Sequence, residues 1–529
     1  MPTTRAAGRE SSERATLLLL ALAAALLLFR LGSVPLVGPD EPRYARVAVE
    51  MYRSGDRVTP TLQGVPWLEK PALYYWLAGM AYSVLGETEA AARLPSVAAG
   101  LLLVAATTLV GGRLYGRAAG LHAGFILATS VLVFAYGRAA TMDMLVAATI
   151  TAAVGLFAVA LLGVTSTPAT IPMAYVFMAL ATLAKGPIGF LLPGLVLVGY
   201  VLATREWRLL RRALSPAGIA LFLLVAGPWY LAIYRAQGQA FVDVFLLNHN
   251  VERFTSTIHR HPGSPLYYAP VLVWGLFPWS GLLLPAFAEI SPRRSKVELF
   301  VLSWFLLPLA FFSAAGSKLP GYILPCLPPA ALLMGRAAVA LSDSDREHRR
   351  WAGARAVALV GVILGSLVAA APALLLHIQE PGWMLMVPSA LWALIVVLSV
   401  SRWLARDPSS AFRLLRVGAA GFLLLLTTAV PAILARRESG RNLFLPARGR
   451  EVMVWGAWRT AWMAGYFYND GNVRPISGLG EVLEAAAKSP ALVLVGPGEQ
   501  RALETHDAVR VLTLATGPRS NALVRVQLR

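Results

Sequence analysis

Apolar stretches approaching 20 residues recur from residue 15 to residue 435, and they leave the chain few ways to fold. A bilayer core takes about 20 helical residues to cross. Inside lipid, each backbone polar group needs a partner within its own segment, so runs this long and continuous are helices. Thirteen candidate spans lie near residues 15–34, 94–111, 118–136, 142–163, 170–183, 187–204, 217–235, 267–287, 297–313, 320–341, 353–376, 383–401 and 414–435. With 57% hydrophobic and 14% charged residues, the chain lacks the polar surface a large soluble enzyme needs. The expected fold class is an all-α polytopic membrane protein of about 13 transmembrane helices.

The net charge of +19 does not indicate nucleic acid, because of where it falls. The excess is mostly arginine in short loops: Arg113 and Arg117; Arg205, Arg208, Arg211 and Arg212; Arg293, Arg294 and Lys296; Arg346, Arg349 and Arg350; Arg402, Arg406 and Arg413. With the N-terminal tail (Arg5, Arg9, Arg14) in the cytoplasm, all these loops fall on the cytoplasmic side, which is the positive-inside pattern. The apolar segment 71–85 is about 15 residues long and must not cross, since a crossing would move every later basic loop outside. The single cysteine, Cys326, excludes a disulfide within the chain.

The outward face then collects the loop 38–93, the turns at Asp143, Lys185 and Lys318, and the loop 236–266. The first of these holds seven of the 28 acidic residues: Asp40, Glu41, Glu50, Asp56, Glu69, Glu87 and Glu89. Tyr44, Val47, Ala48 and Met51 share one helical face, with Arg43, Arg46, Glu50 and Arg53 elsewhere, which predicts an amphipathic helix on the membrane surface. Asp40 stands at an N-cap position and Glu69-Lys70-Pro71 opens a second helix the same way, so capping and catalysis are both open for these acids. Asp143, at the outer end of a span, is costly at membrane depth unless it is used. Lys185 and Lys318 run against the orientation bias; with Lys70 and Arg253 they form a cationic patch suited to a lipid-borne phosphate. In the loop 236–266, His249, His259 and His261 raise a metal as an option, although His259 and His261 lack ligand spacing.

After about residue 436 the pattern changes to short alternating strands and helices: strands at 452–455, 491–495, 509–514 and 523–528, and helices at 461–468, 479–487 and 499–505. The expected organisation is a membrane domain at 1–436 and a small extracytoplasmic α/β domain at 437–529, with no phosphate-binding glycine motif.

Six ordered motifs carry a family resemblance: DEPRYARVAVEM, LEKPALYYW, ATMDMLVA, LAKGPIGF, HNVERF and GSKLPGYILPCLP. Over roughly residues 15–341 the chain resembles the ArnT-type aminoarabinose transferases and, more broadly, the bacterial relatives of protein O-mannosyltransferases. The resemblance implies a GT-C fold. It also implies a glycosyltransferase of the bacterial inner membrane that moves a sugar from a polyprenyl-phosphate carrier to a lipid or protein acceptor outside. The family's catalytic aspartates fall on Asp40 and Asp143, with Glu41 and Arg43 beside the first. Its phosphate-binding residues fall on Lys70, Arg253 and Tyr322, with Lys185 and Lys318 as further motif cations. Its metal-associated residues fall on Glu69 and His249, implying a divalent metal (zinc, magnesium or manganese) and no nucleotide cofactor. In this chain His249 lies four residues before Arg253, and Asn250 occupies the position three before it, where ArnT-type sequences have histidine. The rival class is a lipid or sugar flippase, which often shows inverted repeats and midplane charges. The sequence shows no repeat, and its charges gather at one face.

Overall fold

The computed structural model describes residues 2–165, 167–252, 263–288, 290–291, 295–342 and 383–529. Helix occupies twelve of the thirteen predicted segments, and the segment 353–376 lies outside the described residues. The early helices are α1 (Pro2–Leu28), α2 (Asp40–Ser54), α3 (Leu73–Leu85), α4 (Glu89–Leu114), α5 (Arg117–Ala128), α6 (Val131–Gly137), α7 (Asp143–Leu161), α8 (Thr170–Lys185) and α9 (Ile188–Thr204). Among the described residues, six helices are long and apolar enough to cross a membrane, or eight if two bent pairs each count as one span. The pairs are α5–α6, bent by 61°, and Pro265–Gly275 with Ser280–Ala288, bent by 117°. The straight span expected at 267–287 is therefore broken, at residues 276–279, where Pro278 withholds a backbone donor.

At the centre of the bundle, α7 packs against α4 and α8. Seventeen of its residues are buried, and its apolar side chains point all round, as expected for a helix enclosed by other helices. Small residues set the closest approaches. Gly111 and Gly120 bring α4 and α5 together so tightly that a Cβ on Gly111 would lie 2.9 Å from the Gly120 Cα. This is the usual geometry of small-residue contacts in membrane bundles.

The helix in the segment 71–85 is short for a crossing, which takes about 20 residues. Helix α3 has 13 residues and packs between α2 and α4. It begins at Leu73, so Pro71 precedes the helix rather than opening it, and Glu69 does not cap it. Helix α2 buries Tyr44, Val47, Ala48 and Met51 as expected. Nor does α2 lie bare on a membrane surface: it also packs against the helix Arg459–Tyr468 of the C-terminal region.

That region contains a five-stranded sheet of β3 (Val452–Trp455), β4 (Val473–Pro475), β5 (Ala491–Val495), β6 (Val509–Thr516) and β7 (Ala522–Leu528), after a two-residue hairpin β1–β2 (Thr61–Leu62, Val65–Pro66). The order is β4-β3-β5-β7-β6, with β3 parallel to β4 and β5, and β7 antiparallel to β5 and β6. Four strands and three helices match the sequence pattern. Strand β4 is additional: three residues ending in proline give no alternation to read, and proline is tolerated there because β4 is an edge.

Ion pairs fasten this sheet region to α2. Asp470 accepts hydrogen bonds from Arg46 and from Arg53 (2.7 Å), and the Gln63 side-chain amide donates to the carbonyls of Gly471 (2.6 Å) and Val473 (2.9 Å). Partial burial raises the Asp470 carboxyl, but the bonds from Arg46 and Arg53 outweigh it and hold the group below the usual aspartate range. A carboxylate depressed in the folded state stabilises above its unfolded pKa, about 3.9, and loses that contribution as pH falls through its lower folded value. The docking contact is thus complete at neutral pH and weakens below about pH 4. Because Asp470 is largely exposed, added salt also weakens it. Asp470→Asn is expected to raise hydrogen exchange in residues 40–54 and 459–475 at neutral pH, with little further change on acidification.

Candidate active site

Two helix starts bring the proposed catalytic acids together. Asp40 is the first residue of α2 and Asp143 the first of α7. Neither side chain caps its helix: the preceding residues are Pro39 and Met142, and neither end has a side-chain cap hydrogen bond. The capping reading of Asp40 is therefore replaced by an ion pair, because Arg43 Nη2 donates to Asp40 Oδ1 at 2.5 Å. Carboxylates in a first turn are also favoured by the helix dipole, cap or no cap.

Tyr44 ties the two acids to one place. Burial pushes its phenol well up. Asp40 pushes the same way, Arg43 opposes, and Glu69 and then Asp143 add to the rise. One hydroxyl thus lies in the field of three carboxylates from separate stretches of chain. It stays protonated at neutral pH and can only donate or accept a hydrogen bond there.

Arg43 was expected on the polar face of α2 and is instead buried. Its guanidinium stacks over Tyr44 (5.2 Å to the ring centroid) and Trp67 (5.0 Å), and among the described residues its Nε has no hydrogen-bond partner. Arginine suits such a place because its planar cation is weakly hydrated and stacks on rings. Glu69 adds its charge to the same cluster. Lys70 is buried beside it and donates to the Glu69 carbonyl at 3.0 Å.

Across from these, Lys185 at the end of α8 donates to Asp143 Oδ1, and its ammonium lies 4.7 Å from the centroid of Tyr322. The adjacent Gly186 has φ +91°, and a Cβ there would sit 2.6 Å from the Phe245 ring. Gly186→Ala is expected to cost about 1–3 kcal/mol of stability through this strain. It should also reduce activity by displacing Lys185, as melting temperature and initial rate measured together would show. Lys318 is buried and donates to the Ala315 carbonyl. Glu41 is buried too, in an ion pair with Arg93 rather than open to a ligand. Arg253 and the side chain of His249 lie outside the described residues. Among the described residues, no three His, Cys, Asp or Glu side chains come together in a way that could hold a metal.

The arrangement joins two carboxylates and a buried phenol to the cations Arg43, Lys70 and Lys185. It can hold an anionic group while a carboxylate takes a proton. Arg93 was not singled out as a site residue from the sequence. The one signal it gave was a guanidinium near the start of an apolar span, where an unpaired cation is costly.

Comparison with known proteins places this geometry. A family model described as dolichyl-phosphate-mannose-protein mannosyltransferase matches residues 69–231. An undecaprenyl phosphate-alpha-4-amino-4-deoxy-L-arabinose arabinosyl transferase of Pectobacterium carotovorum is 33% identical over 379 residues, covering 69% of this chain and 66% of the relative. The protein of the same name in Pseudomonas aeruginosa is 36% identical over 310 residues, covering 57% of this chain and 55% of its own length. The match thus spans just under two thirds of the first relative and about half of the second. The crystal structure of ArnT from Cupriavidus metallidurans bound to undecaprenyl phosphate superposes with a TM-score of 0.78, at 24% identity, over 96% of this chain and 97% of that one. Fold and relatives agree: this is a multi-pass membrane protein with the GT-C fold, similar to the ArnT-type polyprenyl-phosphate-sugar glycosyltransferases.

Proposed function

We propose that the chain is an integral-membrane glycosyltransferase of the bacterial inner membrane. It takes a sugar from a polyprenyl-phosphate carrier and passes it to an acceptor on the extracytoplasmic side, a lipid A-like glycolipid, another envelope glycan or a protein hydroxyl. The observation that carries this reading is the convergence of Asp40 and Asp143 on Tyr44, with Lys185 against Asp143 and the Tyr322 ring beside Lys185. The N-terminal tail is cytoplasmic, and the site and the region 437–529 face outward.

Lys70, Arg253 and Tyr322 hold the carrier phosphate, and Lys185 and Lys318 add positive field. These groups stabilise the charge that grows on the phosphate as the sugar–phosphate bond breaks. No nucleotide is needed, because the leaving group is the lipid phosphate. Asp40 accepts the proton from an acceptor hydroxyl as the new glycosidic bond forms. Where the acceptor is itself a phosphate, no base is needed, and Asp40 orients it or steadies the oxocarbenium-like sugar. Asp143, paired with Lys185, positions the sugar. A single displacement inverts the anomeric carbon.

The resemblance assigns a divalent metal to Glu69 and His249. Glu69 lies in the field of the Arg43 cation, which competes with a metal for its charge, and each step here is assigned to the chain's own side chains. Chelation decides the point: a rate lost to EDTA and restored by added zinc, magnesium or manganese assigns the pair, and an unchanged rate removes it.

The experiment uses purified protein in proteoliposomes with a radiolabelled undecaprenyl-phosphate sugar, offered lipid A and hydroxyl-bearing peptides in turn. Label moving to one acceptor class supports the reading and names the acceptor. Label moving only between leaflets would make the protein a flippase.

A further inference from the structure

Glu41 and Arg93 form the most completely bonded polar pair near the site, and their partners lie on both sides of it. Arg93 is 3% exposed, near the start of α4. Its Nε donates to Glu41 Oε1 (2.9 Å) and its Nη2 to Glu41 Oε2 (2.8 Å), the bidentate fork that only arginine offers. Nη1 also donates to the carbonyls of Leu31 (2.9 Å) and Val34 (2.7 Å), and Nη2 to that of Pro35 (2.9 Å). Five bonds use all five guanidinium hydrogens. The Glu41 carboxylate is equally occupied: Val37 N donates to Oε2 (2.8 Å) and Ala140 N to Oε1 (2.7 Å).

Those partners are not scattered. Leu31, Val34, Pro35 and Val37 lie in the segment that delivers Asp40. Glu41 is the neighbour of Asp40. Ala140 is three residues before Asp143. A second bond repeats the link, because Ser96 Oγ, one turn after Arg93, donates to the Thr141 carbonyl (3.1 Å). The backbone before α2 and the backbone before α7 are therefore held by one buried ion pair anchored in α4. If the pair served only to neutralise a charge, the direct bond from Glu41 to the turn before Asp143 would be unnecessary.

We propose that Glu41 and Arg93 are positioning residues that fix the separation of Asp40 and Asp143. They touch neither donor nor acceptor, and act through the backbone on which both aspartates are mounted. This rests on the proposed roles of those aspartates. Small displacements are enough: a misplacement of about 1 Å remote from the chemistry can cost on the order of 10²-fold in rate.

The test is Glu41→Gln in the full-length protein in proteoliposomes, alone and combined with Asp40→Asn. A carboxamide keeps the shape but turns one acceptor into a donor facing Arg93 and either Ala140 N or Val37 N. The expected result is a kcat lowered on the order of 10²-fold with an unchanged KM for the donor, and a penalty that largely vanishes in the Asp40→Asn background, because residues acting as a unit are not additive. A purely structural role would leave the same fold-loss in both backgrounds, and that outcome overturns the proposal, as would a wild-type kcat. Arg93→Lys, which keeps the charge but not the fork, is judged by the same criterion if Glu41→Gln does not fold. If neither variant folds, the pair is structural and the proposal falls. An inactive wild-type protein would instead refute the glycosyltransferase reading itself.

Discussion

Asp40→Asn lowers the rate of sugar transfer by about 10²–10⁴-fold, the usual contribution of a general base, and leaves the KM for the donor unchanged. The side chain is about half exposed, so a base there can reach an incoming acceptor. Its bond to Arg43 uses one carboxylate oxygen, and an asparagine carbonyl can accept the same bond. The substitution therefore removes basicity and one negative charge while keeping the hydrogen bond, and with Glu69 still acting on Arg43 the melting temperature should fall only a little. If the natural acceptor is a phosphate, the loss should lie at the low end, since no proton need be removed. Initial rates with hydroxyl-bearing and phosphate-bearing acceptors, side by side, separate the two cases.

Arg93→Met has the opposite profile: a large loss of stability whatever the substrate. It leaves the Glu41 carboxylate buried without its cation, a defect that costs about 3–5 kcal/mol. It also strips partners from the carbonyls of Leu31, Val34 and Pro35. The double variant Glu41→Leu with Arg93→Met should be less damaging than Arg93→Met alone, because a buried ion pair replaced by apolar groups often costs little. Thermal unfolding in detergent, followed for the wild-type, single and double variants, checks the order.

These two residues also mark how far the sequence could be read. Asp40 stood out in the sequence as an acid beside a proline just after an apolar run, and the fold sets it at the first position of α2. The expected short, non-crossing segment at 71–85 corresponds to α3, 13 residues long and packed between α2 and α4. The turns at Asp143 and Lys185, grouped in the sequence, meet in the fold, where Lys185 bonds to Asp143 and lies against the Tyr322 ring. What composition and spacing could not give was long-range pairing. Glu41 looked like a companion of Asp40, yet two of its partners lie 52 and 99 residues away. Arg43 looked solvent-facing because helical periodicity records one helix, and the rings that cover it include Trp67 from the following loop. The docking of the C-terminal region on α2 was equally hidden, since Asp470 is 424 residues from Arg46.

The central claim is that this site moves a sugar from a lipid phosphate. It is tested most directly by mass spectrometry of proteoliposomes holding the purified protein, an undecaprenyl-phosphate sugar and an acceptor. The account predicts glycosylated acceptor and free undecaprenyl phosphate in equal amounts, with both abolished or nearly so in Asp40→Asn. Intact donor redistributed between leaflets, with no free undecaprenyl phosphate formed, would contradict it.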